Sequence, residues 1–241
     1  SIAESFRGLR TSLQFIYKRK GLAGSKTVLL TSSVSGEGKT FCSMNLASVF
    51  ALSGKKTVLV GLDLRKPKIF NDFEIKNEIG IVNYLVGQQD LASITQATRY
   101  ENLDVITAGA VPPNPSELLM SEQMDSLMEE LKQVYDYIIL DTPPIGLVSD
   151  ALNLFRHTDA TLYVVRQNYT KDPMLNVINE KYRKGEVKNV SFVLNYFQQK
   201  AKYGYGYGYG YGYGYGDTYG NGYHENEPSN SFWSRIFKSK K

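Results

Sequence analysis

The stretch SSVSGEGKT (32–40) carries residue types suited to holding a chain of phosphates. It matches the pattern G-x-x-x-x-G-K-[ST] at Gly38, Lys39 and Thr40, with Ser33 in the place of the first glycine. Gly36 and Gly38 let backbone N–H groups face inward around a di- or triphosphate. Lys39 neutralises charge on the β- and γ-phosphates, and Thr40 offers a hydroxyl to Mg²⁺. The N-terminus of the following helix adds its positive dipole end. Chemistry of this kind also needs a carboxylate at the end of a neighbouring strand to hold the magnesium and its water shell. Asp141 closes YIILD and is followed by Thr-Pro-Pro, the way a strand leaves a sheet into a site loop. Asp63 in GLDLRKP is the second carboxylate, and Arg65 lies two residues on. On an extended segment the two point the same way, either into a common cleft or into a surface ion pair.

The elements that must position these groups follow from hydrophobic spacing. TVLLTS (27–32) is a short buried strand, and GKTFCSMNLASVFALSG reads as a helix closed by Gly54. TVLVGLDL (57–64), NLDVITAG (102–109), YIILD (137–141), ATLYVVR (160–166) and VSFVLNYF (190–197) are further strands. SELLMSEQMDSLMEELKQ (116–133) is predicted as one helix capped by Ser116, and LVSDALNLFR and DPMLNVINEKYRK also look helical. Asp150 in the first of these reads as an N-terminal helix cap, with a role in shaping the cleft as the alternative. Phe6, Leu9, Leu13 and Ile16 recur at three- and four-residue spacing, which predicts an amphipathic N-terminal helix over residues 1–20. Strands apolar on both faces, alternating with helices, imply an α/β domain with a mostly parallel, doubly wound sheet over residues 21–199. Residues 200–241 have almost no aliphatic content and are expected to form a disordered Tyr/Gly-rich C-terminal tail.

Composition bounds the rest. The chain has 28 basic and 24 acidic residues among 241, a net charge of +4, which is too mild to imply a nucleic-acid partner. No run of eighteen apolar residues is present, so no membrane span is expected. One cysteine, Cys42, excludes an internal disulfide and reads as a small buried or helix-facing residue. His157 and His224 share no metal-ligand spacing. The start at SIAESF, without methionine, suggests a soluble piece of something longer.

Taken together, Glu4-x-x-Arg7-x-x-Arg10, TSSVSGEGKT, LDLRKP, ILDTPP with a downstream SDA (149–151), and the tyrosine cluster at the C-terminal end resemble the bacterial tyrosine kinases of capsule and exopolysaccharide systems. The resemblance covers nearly the whole chain, and the combination is specific because related partitioning and cell-division ATPases have no such cluster. It implies a P-loop kinase that uses ATP and Mg²⁺ to phosphorylate its own tail. Ser35, Gly36, Glu37, Gly38, Lys39, Thr40 and Phe41 would bind nucleotide, with Asn195 at the base. Thr40, Asp63 and Asp141 would serve the metal, and Lys39, Asp63, Arg65 and Asp141 the transfer. The family usually offers D-x-D-x-R here, whereas this chain has Gly61 at the first acidic position and keeps Asp63 and Arg65. The resemblance also implies a ring-like homo-oligomer joined through Glu4, Arg7 and Arg10, although intrahelical pairing among those residues is the alternative. Further implied partners are a transmembrane polysaccharide co-polymerase segment and a cognate tyrosine phosphatase, at the cytoplasmic face of the plasma membrane.

Under this reading the tail supplies the phosphoacceptors Tyr203, Tyr205, Tyr207, Tyr209, Tyr211, Tyr213, Tyr215, Tyr219 and Tyr223. Glycine between most of them keeps the segment flexible enough to enter a neighbour's cleft and leave again. SFWSRIFKSKK (231–241) reads equally as an anionic-membrane contact or as a solvated charge run. Two other functions stay open at this stage: a partitioning-type switch ATPase that transfers phosphate to water, and a non-catalytic adaptor modified by another kinase.

Overall fold

The computed structural model describes residues 1–69, 73–146, 150–187 and 189–198. The nine tail tyrosines, His224 and the 231–241 segment lie outside those residues, as do Ser149 and the side chain of Asp150. Within Ser1–Phe197, seven strands form one sheet in the order β3-β4-β2-β5-β1-β6-β7. They are β1 (Lys26–Ser32), β2 (Thr57–Gly61), β3 (Thr95–Ala97), β4 (Leu103–Ile106), β5 (Tyr137–Asp141), β6 (Ala160–Arg166) and β7 (Val190–Asn195). All neighbours pair in parallel except the edge strand β3, which runs antiparallel to β4. β1, β2 and β5 are buried at every position, as helices on both faces require.

Helix α1 (Ile2–Arg19) buries Phe6, Leu13 and Tyr17. Leu9 and Ile16 of the predicted stripe are only partly covered. α1 packs on α2 (Lys39–Ala51), with the Phe6 and Phe41 rings edge to face at 6.0 Å. Behind them, Phe50 of α2 stacks on Tyr137 at 3.7 Å. Eleven of the thirteen residues of α2 are buried, so this helix has no solvent face. Its polar residues are accommodated because Ser43 and Ser48 donate to the carbonyls of Lys39 and Met44, and Asn45 donates to that of Phe41.

Some boundaries differ from expectation. β2 stops at Gly61, where Asp63 Oδ1 accepts from the Lys66 N–H at 3.0 Å and turns the chain, so Asp63 and Arg65 sit on a bend rather than a strand. The helix predicted over 116–133 is two helices, α5 (Pro115–Leu119) and α6 (Glu122–Val134), broken at Ser121. Ser116 lies inside α5 with Asn114 before it, so it is not the cap; its hydroxyl instead accepts from Arg65 Nη2 at 3.2 Å. Two short helices, α3 (Ile81–Leu85) and α4 (Leu91–Ile94), precede β3. The segment Asp150–His157 is a 3₁₀ helix, and a 3₁₀ turn at Asp172–Leu175 leads into α7 (Asn176–Arg183).

The two arginines of α1 are held differently. Arg7 pairs with Glu4 at 3.1 Å on an exposed surface. Arg10 Nη1 donates to Val49 O at 2.8 Å, a carbonyl in the last turn of α2 that has no backbone donor among the described residues. A guanidinium at a helix C-terminus satisfies an orphan acceptor and opposes the negative dipole end. Arg10→Ala is therefore expected to lower the unfolding free energy by about 1–2 kcal/mol. Arg7→Ala should change it by less than about 0.5 kcal/mol. Chemical denaturation of the two variants measures the difference.

Candidate active site

Lys39, Thr40, Asp63, Arg65, Asp141 and Asn195 gather at the C-terminal ends of the parallel strands, where open α/β sheets bind ligands. The loop after β1 turns twice through left-handed backbone, at Gly36 (φ 88°) and Gly38 (φ 95°). At Gly38 a side chain is doubly excluded, since a Cβ would fall 2.0 Å from Asn195 Nδ2. Between those turns the loop carbonyls face the protein. Tyr169 Oη donates to Ser35 O at 3.0 Å, Arg166 Nη1 to Gly36 O at 2.8 Å, and Asn195 Nδ2 to Glu37 O at 2.9 Å. The backbone N–H groups from Ser35 to Thr40 have no hydrogen-bond partner among the described residues. Six consecutive donors at a helix N-terminus form an anion cradle.

The Glu37 carboxylate is turned away from that cradle. It is fully buried, accepts from the Val34 N–H at 2.8 Å, and bonds the Thr170 hydroxyl. Only the backbone of Glu37 is left to meet a phosphate.

Lys39 is 8% exposed, and its ammonium makes no hydrogen bond or ion pair among the described residues. Burial lowers its pKa, although Asp141, Asp63 and Glu37 oppose that shift. Asp141, at the end of β5, accepts from Thr40 Oγ1 at 2.8 Å and Ser43 Oγ at 3.1 Å. Burial pushes its carboxyl up to about 6, against the two hydroxyls and the Lys39 charge. A buried ammonium with no hydrogen bond or ion pair among the described residues, beside a buried carboxylate, suits an anion next to Lys39 and a cation next to Asp141. The hard oxygens of Thr40, Asp141 and Asp63 suit Mg²⁺, which takes one or two protein carboxylates and completes its shell with water and phosphate. Among the described residues no group of three or more His, Cys, Asp or Glu side chains forms a cage for a metal.

The loop opens on a cavity of about 1040 Å³, large enough for a nucleotide with room beside it. Lys39, Thr40, Asp63, Arg65, Lys66 and Lys68 line its polar side. Its apolar side runs from Ile2, Phe6 and Leu9 of α1 to Phe192, Leu194 and Phe197 around β7. Asn195 also lines the cavity, and its Oδ1 accepts from the Tyr196 N–H at 2.9 Å. Gly61 pairs in register with Asp141, and a Cβ there would meet Ile69 Cδ1 at 3.2 Å. Ile69 thus occupies the space beside the one residue that departs from the expected acidic pair. Glu4 and Arg7 lie on α1 away from the cradle, and Arg10 is engaged with α2.

Sequence reasoning did not reach Arg166, Tyr169 and Thr170. They lie about 130 residues from the loop they hold, and no spacing rule connects them to it.

The sequence profile of the family described as AAA domain matches residues 25–182. Tyrosine-protein kinase YwqD of Bacillus subtilis (strain 168) is 35% identical over 205 residues, 84% of this chain and 85% of that protein. Tyrosine-protein kinase etk of Escherichia coli (strain K12) is 36% identical over 205 residues, which are 85% of this chain but only 28% of that protein. The solved kinase domain of Escherichia coli tyrosine kinase ETK aligns with a TM-score of 0.78 over 87% of this chain and 81% of that one, at 36% identity. The septum site-determining protein MinD from Pyrococcus horikoshii, complexed with Mg-ADP, aligns with a TM-score of 0.59 over 70% of each chain; at 21% identity it shares the fold alone. With one such kinase matched over most of its length, and a kinase domain of another sharing this sheet and its helices, the chain belongs to the family of bacterial tyrosine-protein kinases.

Proposed function

We propose that this chain is an ATP-dependent protein-tyrosine autokinase that phosphorylates the tyrosines between Tyr203 and Tyr223 in trans, from one copy to the next. The observation that carries this reading is the row of N–H groups from Ser35 to Thr40 beside the buried Lys39 ammonium, all without a hydrogen-bond partner among the described residues. Bound Mg·ATP supplies the transferable phosphoryl group and the metal's charge. The loop amides and Lys39 would fix the phosphates, and Thr40 and Asp141 would hold the metal from the protein side. Asp63 would accept the phenol proton as the phenol oxygen bonds the γ-phosphorus and the bond from that phosphorus to the β–γ bridging oxygen breaks, releasing ADP. Arg65, on the same wall, would counter the charge on the moving group. One base is enough for a transfer dominated by positioning and charge. Gly61 in place of a second acidic residue is compatible with that division of labour.

The domain scheme proposed with this function is a docked N-terminal helix (1–20), a catalytic core (21–199) and an acceptor tail (200–241). Copies would assemble in a ring through Glu4 and Arg7, with Arg10 also bracing α2. No described helix is long and apolar enough to cross a membrane. We place the chain at the cytoplasmic face of the plasma membrane, beside a transmembrane polysaccharide co-polymerase and a tyrosine phosphatase, regulating polysaccharide polymerisation and export. Each phosphate adds about −1.5 to −2 charges, so three would reverse the net charge of +4 and loosen contacts between copies.

Dephosphorylated protein incubated with Mg·ATP should gain phosphotyrosine over a ladder of intact masses. Lys39→Met should abolish the ladder, and Asp63→Asn should slow it by about 10²-fold. ATP turnover without any phosphotyrosine would mean transfer to water instead. A tail modified only when another kinase is added would make the chain an adaptor. Light scattering before and after full modification should show a smaller assembly; an unchanged size would remove the charge-release idea.

Asp141→Asn should lose transfer yet stabilise the fold. A carboxyl whose pKa rises on folding weakens the folded state fully above the folded value and not at all below the unfolded one. The gain should be about 3 kcal/mol at pH 7.5 and should fade between about pH 6 and pH 4 as the wild-type carboxyl takes up its proton. Thermal unfolding of both proteins across that range checks the sign.

A further inference from the structure

A trans peptide holds the carbonyl of one residue and the N–H of the next on opposite sides. Whatever fixes the carbonyls of Ser35, Gly36 and Glu37 therefore aims the N–H groups of Gly36, Glu37 and Gly38 the other way. In this fold all three carbonyls are taken by side chains from the far half of the sequence: Tyr169 Oη on Ser35, Arg166 Nη1 on Gly36 and Asn195 Nδ2 on Glu37. A fourth tie joins the Thr170 hydroxyl to the buried Glu37 carboxylate. The same hydroxyl accepts from the Arg166 N–H at 2.9 Å, so Thr170 links the strap's own backbone to the loop. The Arg166 guanidinium lies 4.0 Å from the Tyr196 ring and 4.8 Å from the Tyr169 ring, which restricts its plane.

We propose that the strap Arg166–Thr170, acting with Asn195, is the positioning device that keeps the phosphate loop in its anion-accepting orientation. This deepens the phosphotransfer reading and rests on it. None of the strap side chains needs to touch the reacting atoms. They act through the loop by holding open a ring of donors that would otherwise rotate toward other acceptors. Glycine at positions 36 and 38 gives the loop its shape and also its freedom to lose it. Restraint from outside offsets that freedom.

The test is steady-state autophosphorylation with titrated Mg·ATP, together with calorimetric titration of Mg·ADP, for wild type, Tyr169→Phe, Thr170→Val and Thr170→Ser. Tyr169 is 45% exposed, so Tyr169→Phe removes one hydrogen bond and leaves the ring stacked. We expect KM for Mg·ATP and the dissociation constant for Mg·ADP to rise about tenfold in Thr170→Val and about fivefold in Tyr169→Phe, the scale of single hydrogen bonds in a charged setting. The kcat of both should stay within about twofold, with the melting temperature of the nucleotide-free Tyr169→Phe protein unchanged and Thr170→Ser restored to wild-type affinity. Unchanged KM and unchanged nucleotide affinity in both variants would overturn the proposal. So would a joint fall of affinity, kcat and melting temperature that Thr170→Ser fails to repair. Wild-type protein that binds Mg·ADP but transfers no phosphate to tyrosine would refute the kinase reading alone, because the calorimetric arm still judges the strap.

Discussion

A backbone can present several N–H groups to one anion only if the matching carbonyls are satisfied elsewhere. That constraint organises this molecule. Helices and strands satisfy carbonyls by pairing them with amides, which uses up the donors an anion needs. Here the loop after β1 leaves six amides without a partner among the described residues and gives three of its carbonyls to Tyr169, Arg166 and Asn195. The ends of β6 and β7 are consequently part of the site, although Asn195 is the one expected binding residue they bear. Asn195 and Gly38 fit so closely that each limits the other.

The same compactness sets the charges. Lys39 and Asp141 are both nearly dry, so the ammonium is easier to neutralise and the carboxyl harder to ionise than in water. Their mutual attraction and the hydroxyls of Thr40 and Ser43 only partly compensate. Such a site spends folding stability on readiness for a charged ligand. The surroundings offset this: α2 is buried along almost its whole length, α1 covers it, and Arg10 closes its C-terminal end.

Much of this was legible in the residues themselves. YIILD and ATLYVVR became strands with the expected ends, because short runs apolar on both faces have few other places to go. GEGKT fell at the strand-to-helix junction where its glycines, lysine and threonine are needed. The errors arose where local pattern and long-range contact compete. The apolar spacing across 116–133 continues through Ser121, yet the chain breaks there. TVLVGLDL looks like one strand, yet pairing ends at Gly61 and a carboxylate turn takes over. The antiparallel edge strand β3 is three residues long and partly exposed, too short for alternation to register.

The amino-acid order alone determined the phosphate chemistry and the α/β alternation, since both are written in contiguous residues whose spacing matches a backbone repeat or a loop geometry. Only the tertiary structure decided which way the Glu37 carboxylate turns, which carbonyls are held back and how dry Lys39 and Asp141 become. Those properties depend on side chains that arrive from more than a hundred residues away, and on the water that their arrival excludes.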